Sequence, residues 1–178
     1  MVFARAPVPG RAKTRLIPLL GKKGAARLSE RMLKKTLRTA RAAGFDPSLL
    51  LSGSQGAGNL GDRMHRAFAR ALKTHDSAIL IGSDCPTLRA ADLRAAARAL
   101  KNGTSAVLAP AEDGGYALIG LRRNSRRLFD GVAWGGPRVF EQTRTRLAVL
   151  GWRWKKLRTL WDVDRPEDVL RLRREKLL

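Results

Sequence analysis

Three short stretches of this sequence put charged side chains where phosphate chemistry needs them. The apolar run Ile79-Leu80-Ile81 ends in Gly82-Ser83-Asp84-Cys85-Pro86, which sets a carboxylate where a buried strand stops and the chain turns. Open α/β sheets bind ligands beyond the carboxyl ends of their strands, so an acid there faces substrate. Beside a phosphorylated ligand it suits Mg²⁺ or Mn²⁺, and the other reading of Asp84 is an Asx-turn or a helix cap. Gly10-Arg11-Ala12-Lys13-Thr14-Arg15 joins a mobile backbone to a point charge and two guanidinium forks, the makings of a phosphate cradle. It is not a P-loop, because Ala12 stands where a glycine must precede the lysine, and an ordinary basic turn is the alternative.

Two further acidic segments follow. Glu112-Asp113-Gly114-Gly115-Tyr116 carries the Asp-Gly hairpin signal with a second glycine that lengthens the turn. Asp113 then joins Asp84 on one strand-end rim if the sheet is doubly wound. Asp162-Val163-Asp164 directs alternate side chains to one face if it is extended. Asp164 and Glu167 also have capping-box spacing, so Asp164 has a structural role open to it as well.

Other chemistries are poorly supplied. With only His65 and His75, and Cys85 as the one cysteine, neither a histidine-based nucleophile nor a His/Cys zinc centre is expected. Cys85 reads as a small buried residue and His65 as polar surface. Any metal here is held by oxygen ligands.

The elements that must position these residues alternate short apolar strands with longer amphipathic segments, the pattern of a βαβ sheet between helices. Strands are expected at Val2–Arg5, Leu49–Leu51, Ser77–Ile81, Ala106–Ala109, Ala117–Gly120 and Trp152–Trp154. Helices are expected at about 24–43 with Gly44 as its stop, 62–74, 87–100 capped by Thr87 or its neighbour, 137–150, and from Asp164 onward. Gly53-Ser54-Gln55-Gly56-Ala57-Gly58 reads as a flexible loop. The resulting expectation is a three-layer α/β/α sandwich with a mostly parallel sheet. At 178 residues, with no linker or repeat, the chain is expected to form one domain over 1–178.

No apolar run approaches a membrane span, no secretory leader is visible, and a lone cysteine suits a reducing compartment, so a cytoplasmic protein is expected. The formal charge of +21 is extreme: twelve of the first 41 residues are Lys or Arg against the single acid Glu30. Without a helix-turn-helix, zinc-finger or aromatic ribonucleoprotein motif, specific nucleic-acid recognition is not expected, while nonspecific polyanion binding at low salt is.

Taken together, the motifs resemble a known family. Phe3 to Leu16, Leu60-Gly61-Asp62-Arg63-Met64, Gly82 to Pro86, Asp113-Gly114-Gly115-Tyr116 and Trp161 to Asp168 are similar, in order and spacing, to the bacterial DUF2064 glycosyltransferases. Some members are named for arsenosugar biosynthesis. The family belongs to the GT-A nucleotide-diphospho-sugar transferase superfamily, which also holds nucleotidyltransferases such as phospholactate guanylyltransferase and the molybdenum-cofactor enzymes.

The resemblance implies a GT-A fold and a metal-dependent transfer of sugar from a nucleoside-diphosphate sugar to a small-molecule acceptor. Pro9, Gly10, Arg11, Lys13 and Arg15 are then implied to lie against the nucleotide diphosphate, and Asp62 and Arg63 to contact the nucleotide or shape its pocket. Asp84 stands where the superfamily places its metal-binding acid, and Asp162 or Asp164 approaches the same Mg²⁺ or Mn²⁺ from the other side. Lys13 and Asp113 are implied as catalytic, with Asp113 orienting or deprotonating an acceptor hydroxyl. Two other readings stand beside this one: a nucleotidyltransferase that releases pyrophosphate from a nucleoside triphosphate, and a degenerate basic binding protein.

Three departures bear on the transfer. The segment from Ser52 to Leu60 is shorter than in relatives, where an extra helix and strand help enclose the nucleotide. Trp134-Gly135-Gly136 lacks the hydroxyl residue usual there, and Arg165 replaces a Thr.

Overall fold

A computed structural model describes residues 1–177. The six strands are β1 (Val2–Ala4), β2 (Leu49–Leu51), β3 (Ala78–Gly82), β4 (Ala106–Pro110), β5 (Tyr116–Leu121) and β6 (Trp154–Lys156). They form one sheet in the order β2-β1-β3-β5-β4-β6. β1 pairs parallel with β2 and β3, and β4 pairs parallel with β6, while β5 runs antiparallel to both its neighbours. Reversing β5 restores β4 to the direction of β3. The carboxyl ends of β1, β3 and β4 therefore lie on one edge.

Five α-helices cover the sheet: α1 (Ile17–Ala42), α2 (Leu60–Ala71), α3 (Ala90–Lys101), α4 (Val139–Val149) and α5 (Pro166–Arg174). Alternation along each strand supplies both cores, since successive side chains point to opposite faces. Val2, Ala4, Ile81 and Val107 pack with Leu33 and Ala40 of α1 and Leu93, Ala96 and Leu100 of α3. Phe3, Leu80, Leu108 and Ile119 pack on the other face with Met64 and Phe68 of α2 and Phe140 and Leu147 of α4. A third cluster joins Leu16, Ala25 and Met32 to Trp161, Val163, Val169 and Leu172, seating α5 against α1. The arrangement is the expected three-layer sandwich.

Several boundaries differ from expectation for local reasons. α1 starts at Ile17, with Pro18 in its first turn, and breaks at Gly21, whose φ of 68° and ψ of 166° are non-helical; the apolar periodicity is continuous only beyond that break. α2 begins at Leu60 because Asn59 caps it, its side chain accepting from the Asp62 N–H at 3.0 Å. α3 opens at Ala90, not near Thr87: Asp92 takes the Arg89 N–H at 2.8 Å. β6 lies two residues later than Trp152, which turns into the core instead.

The glycine-rich stretch after β2 is pinned where a flexible loop was expected. Gln55 is buried, and its amide donates to Leu50 O at 2.8 Å and Ala4 O at 3.4 Å. A short turn over Ser52–Ser54 and this one side chain close the ends of β1 and β2.

Candidate functional site

The segment after β1 delivers Lys13 by an unusual backbone. Lys13 has φ 48° and ψ 48°, a left-handed conformation that costs a non-glycine residue about 1–2 kcal/mol. The turn buries Ala12 completely and sends the Lys13 side chain inward. Its ammonium donates to Val163 O and lies 2.9 Å from Asp84 Oδ2. The same residue links back to Asp84, whose backbone oxygen accepts the Val163 N–H at 2.9 Å. Val163, fully buried, thus ties the turn after β1, the turn after β3 and the segment before α5 together.

The pair is asymmetric: the Lys13 side chain is 6% exposed and that of Asp84 44%. A buried ammonium requires a partner, and Asp84 provides it while presenting its other oxygen to the rim. Asp84 Oδ1 receives only a 3.3 Å contact from the Ser83 hydroxyl among the described residues.

Around this pair lies a polar cavity of about 310 Å³ lined by Arg5, Lys13, Thr14, Arg15, Ser29, Asp84 and Asp164. Arg15 donates to Asp164 across it. Thr14 belongs to the expected cradle, but Arg5 and Ser29 were not expected here. Arg5 directly follows β1, and its position at a strand end was the available signal; Ser29 sits on an α1 turn that only tertiary packing brings to the rim.

Asp164 is not the cap of α5. The Asp168 carboxylate accepts the Asp164 N–H at 2.9 Å and the Arg165 N–H at 2.7 Å, so the capping frame is shifted one residue from the one expected. Asp168 therefore satisfies the helix end, and the Asp164 side chain is left for the cavity.

A second, smaller cavity of about 170 Å³ adjoins the β4–β5 turn and includes Asp113, Tyr116, Trp134, Gly135, Val139 and Asp162 in its lining. Asp113 is exposed and its Oδ1 accepts the Gly115 N–H at 2.8 Å. Gly114, with φ +88°, is obligatory, since a Cβ there would stand 1.8 Å from Pro137 O. Trp134 meets Tyr116 edge to face at 6.4 Å and covers Gly61, where a Cβ would come within 2.6 Å of its indole nitrogen. That nitrogen is buried without a hydrogen-bond partner among the described residues.

Asp162 is the electrostatic link between the two cavities. Burial pushes its carboxyl up to about 6, reinforced by the charges of Asp113 and Asp84 and opposed by Lys13. Cys85 is buried and its thiol is pushed up by desolvation, in keeping with an inert residue.

The remaining expected residues lie outside both cavities. Asp62 spends its carboxylate on the cap of α2, accepting the Asn59 N–H at 3.0 Å, and Arg63 donates to Gln55 Oε1 at 3.3 Å. Pro9, Gly10 and Arg11 form the turn that leads to Lys13, with the Arg11 N–H donating to Val8 O at 3.0 Å. Among the described residues no three His, Cys, Asp or Glu side chains converge on one point. A cation that arrives with a diphosphate needs less, because one or two carboxylates complete a shell of phosphate oxygens and waters. Asp84 and Asp164 line the larger cavity and Asp162 the smaller, with Asp162 feeling the charge of Asp84.

The stretch 30–136 matches a family model described as an uncharacterized protein conserved in bacteria, DUF2064. The chain belongs to the DUF2064 family. The matched stretch includes Asp84 and Asp113; Lys13, Asp162 and Asp164 lie on either side of it. Among solved structures, this DUF2064 chain is similar to one from Desulfovibrio desulfuricans G20 provisionally named a nucleotide-diphospho-sugar transferase. The identity is 28%, the TM-score 0.83, and the match covers 92% of this chain and 80% of that one.

The fold also resembles CMP:2-keto-3-deoxy-manno-octonic acid synthetase complexed with CTP, at 13% identity, a TM-score of 0.52 and coverage of 98% and 96%. It resembles Rv0371c from Mycobacterium tuberculosis H37Rv in complex with manganese, at 23% identity, a TM-score of 0.52 and coverage of 96% and 95%. No curated protein matches the chain significantly.

Proposed function

We propose that this DUF2064 protein transfers a sugar from a nucleoside-diphosphate sugar to an acceptor hydroxyl. The observation that carries the reading is the polar cavity at the carboxyl edge of the sheet, where Arg5, Lys13 and Arg15 stand beside Asp84 and Asp164. Guanidinium forks suit diphosphate oxygens, and the acids suit the cation that such a diphosphate carries. The likeness to a structure provisionally named a nucleotide-diphospho-sugar transferase supports the same reading.

In this reading Arg15 and Arg5 bind the diphosphate and Lys13 holds Asp84 in place. Asp84, with Asp162 or Asp164, would hold a divalent cation, Mg²⁺ or Mn²⁺, whose chemistry is to offset charge on the departing diphosphate. Asp113, on the lip of the adjoining cavity, orients the acceptor hydroxyl and accepts its proton. The apolar wall of Tyr116, Trp134 and Val139 excludes water from that side.

A thermal-shift screen of nucleoside-diphosphate sugars with and without Mn²⁺, run beside Asp84→Ala, tests it. A ligand at about 100 times its Kd stabilises the folded state by about 2.7 kcal/mol, a readily measured shift. The expected result is a Mn²⁺-dependent rise with at least one donor that Asp84→Ala abolishes. No shift with any donor at millimolar concentration overturns the reading, and pyrophosphate release from a nucleoside triphosphate reassigns the cavity to nucleotidyl transfer.

A further inference from the structure

The site absorbs only a few of the cations that give this chain its charge of +21. The largest remaining group lies on the solvent side of α1, at Lys23, Arg27, Arg31, Lys34, Arg38 and Arg41, all exposed. Steps of three and four residues at 100° each keep them within an arc of about 80° on the helix surface. At 1.5 Å per residue the row is about 27 Å long. Glu30, the only acid of α1, is bonded to Lys34 at 2.6 Å, so its one negative charge is spent inside the helix.

A second observation shows that the row has a concave stretch. Arg31, Lys34, Lys35 and Arg38 line an open notch of about 380 Å³ whose far wall is Leu177. Lys35 Nζ donates to Leu177 O, which holds Leu177 against the notch. Like charges held this close repel one another, and Lys35 is already pushed down by burial and by Arg38. An arrangement that costs the free protein electrostatic energy is relieved by a polyanion.

We propose that the outer face of α1, together with the notch beside Leu177, is a docking surface for the phosphate backbone of duplex nucleic acid. Four of the six aligned cations are arginines, whose forks match phosphate oxygens. The length of the row corresponds to about eight base pairs at 3.4 Å each. No exposed aromatic lies in the row, so bases are not stacked and the contact is independent of sequence. The row also lacks an exposed large apolar side chain, the second signal that stable membrane attachment takes. The surface lies outside both cavities of the site, so this docking is independent of the transfer chemistry.

The test is fluorescence anisotropy of a labelled 20-base-pair duplex of arbitrary sequence between 50 and 200 mM KCl. Wild type is compared with Arg27→Gln/Arg31→Gln/Lys34→Gln/Arg38→Gln, and with a control that removes equal charge elsewhere, Arg122→Gln/Arg123→Gln/Arg127→Gln/Lys155→Gln. Each phosphate contact contributes about 0.9 to the slope of log K against log salt, so the α1 variant should lose about 3–4 from that slope. Its affinity at 50 mM should fall at least about tenfold, and the control should stay within about threefold of wild type. Circular dichroism melts of both variants establish that each is folded. Equal losses in the two variants would mean that total charge, not this face, binds the duplex, and would overturn the proposal. Unchanged binding by the α1 variant overturns it too, as does binding to phosphatidylserine vesicles without binding to duplex.

Discussion

The ammonium of Lys13 lies 2.9 Å from Asp84 Oδ2, with the lysine almost wholly buried and the acid half exposed. Val163 makes a hydrogen bond to each partner, to the lysine side chain through its carbonyl and to the Asp84 carbonyl through its N–H. The pair therefore belongs to the fold and to the site at once. Removing one partner should act on both.

Asp84→Asn leaves a buried ammonium without its countercharge and should cost about 1–3 kcal/mol, while Lys13→Met with Asp84→Asn should recover part of that loss. Urea denaturation of the two single variants and the double variant measures the coupling. A coupling near zero would mean that the contact is incidental.

Asp162 gives the protein a pH dependence whose sign follows from its environment. Its folded value, about 6, lies above the ordinary aspartate value of 3.8, so between those limits the folded state binds more protons than the unfolded one. The contribution of this carboxyl to stability is fully present below pH 4 and is lost as pH rises toward 6. Asp162→Asn should therefore be more stable than wild type at pH 7.5 and nearly equal to it at pH 4. Melting temperatures across that range check the crossover, and a variant less stable than wild type at pH 7.5 contradicts it.

The α5 cap separates two neighbouring acids by function. Asp168→Ala removes the acceptor for two backbone N–H groups and should cost about 1 kcal/mol of stability, measured by denaturant unfolding. Asp164→Ala should leave stability within about 0.5 kcal/mol, because its pair with Arg15 is largely exposed. The same substitution should weaken the donor-dependent thermal shift.

Gly114→Ala should be among the most damaging single changes. The left-handed φ and the Pro137 carbonyl 1.8 Å from the added Cβ leave no room without displacing the start of α4, where the Phe140 N–H donates to Gly114 O at 2.8 Å. A loss of about 3 kcal/mol or more is expected, visible as reduced soluble yield and a lower melting temperature. Gly135→Ala, with positive φ but open space around it, should cost about 1 kcal/mol.

The order of short apolar strands and amphipathic helices was legible in the residues, as was the placing of Asp84 and Asp113 at strand ends, because periodicity and turn chemistry act over a few neighbouring positions. The family was legible by resemblance, through the order and spacing of motifs along the chain. Pairing was not legible. Asp164 with Glu167 and Arg165 with Asp168 offer two capping frames one residue apart, and only the path of the chain into α5 selects the second. Lys13 reads as a free phosphate ligand until its left-handed turn buries it on Asp84. Gln55 reads as part of a mobile loop until the ends of β1 and β2 capture its amide. Each of these outcomes depends on segments far apart in the chain coming within hydrogen-bond reach. Residue types and spacing determined which side chains stand at the carboxyl edge of the sheet; the tertiary structure decided which charges are spent on one another and which remain for a ligand.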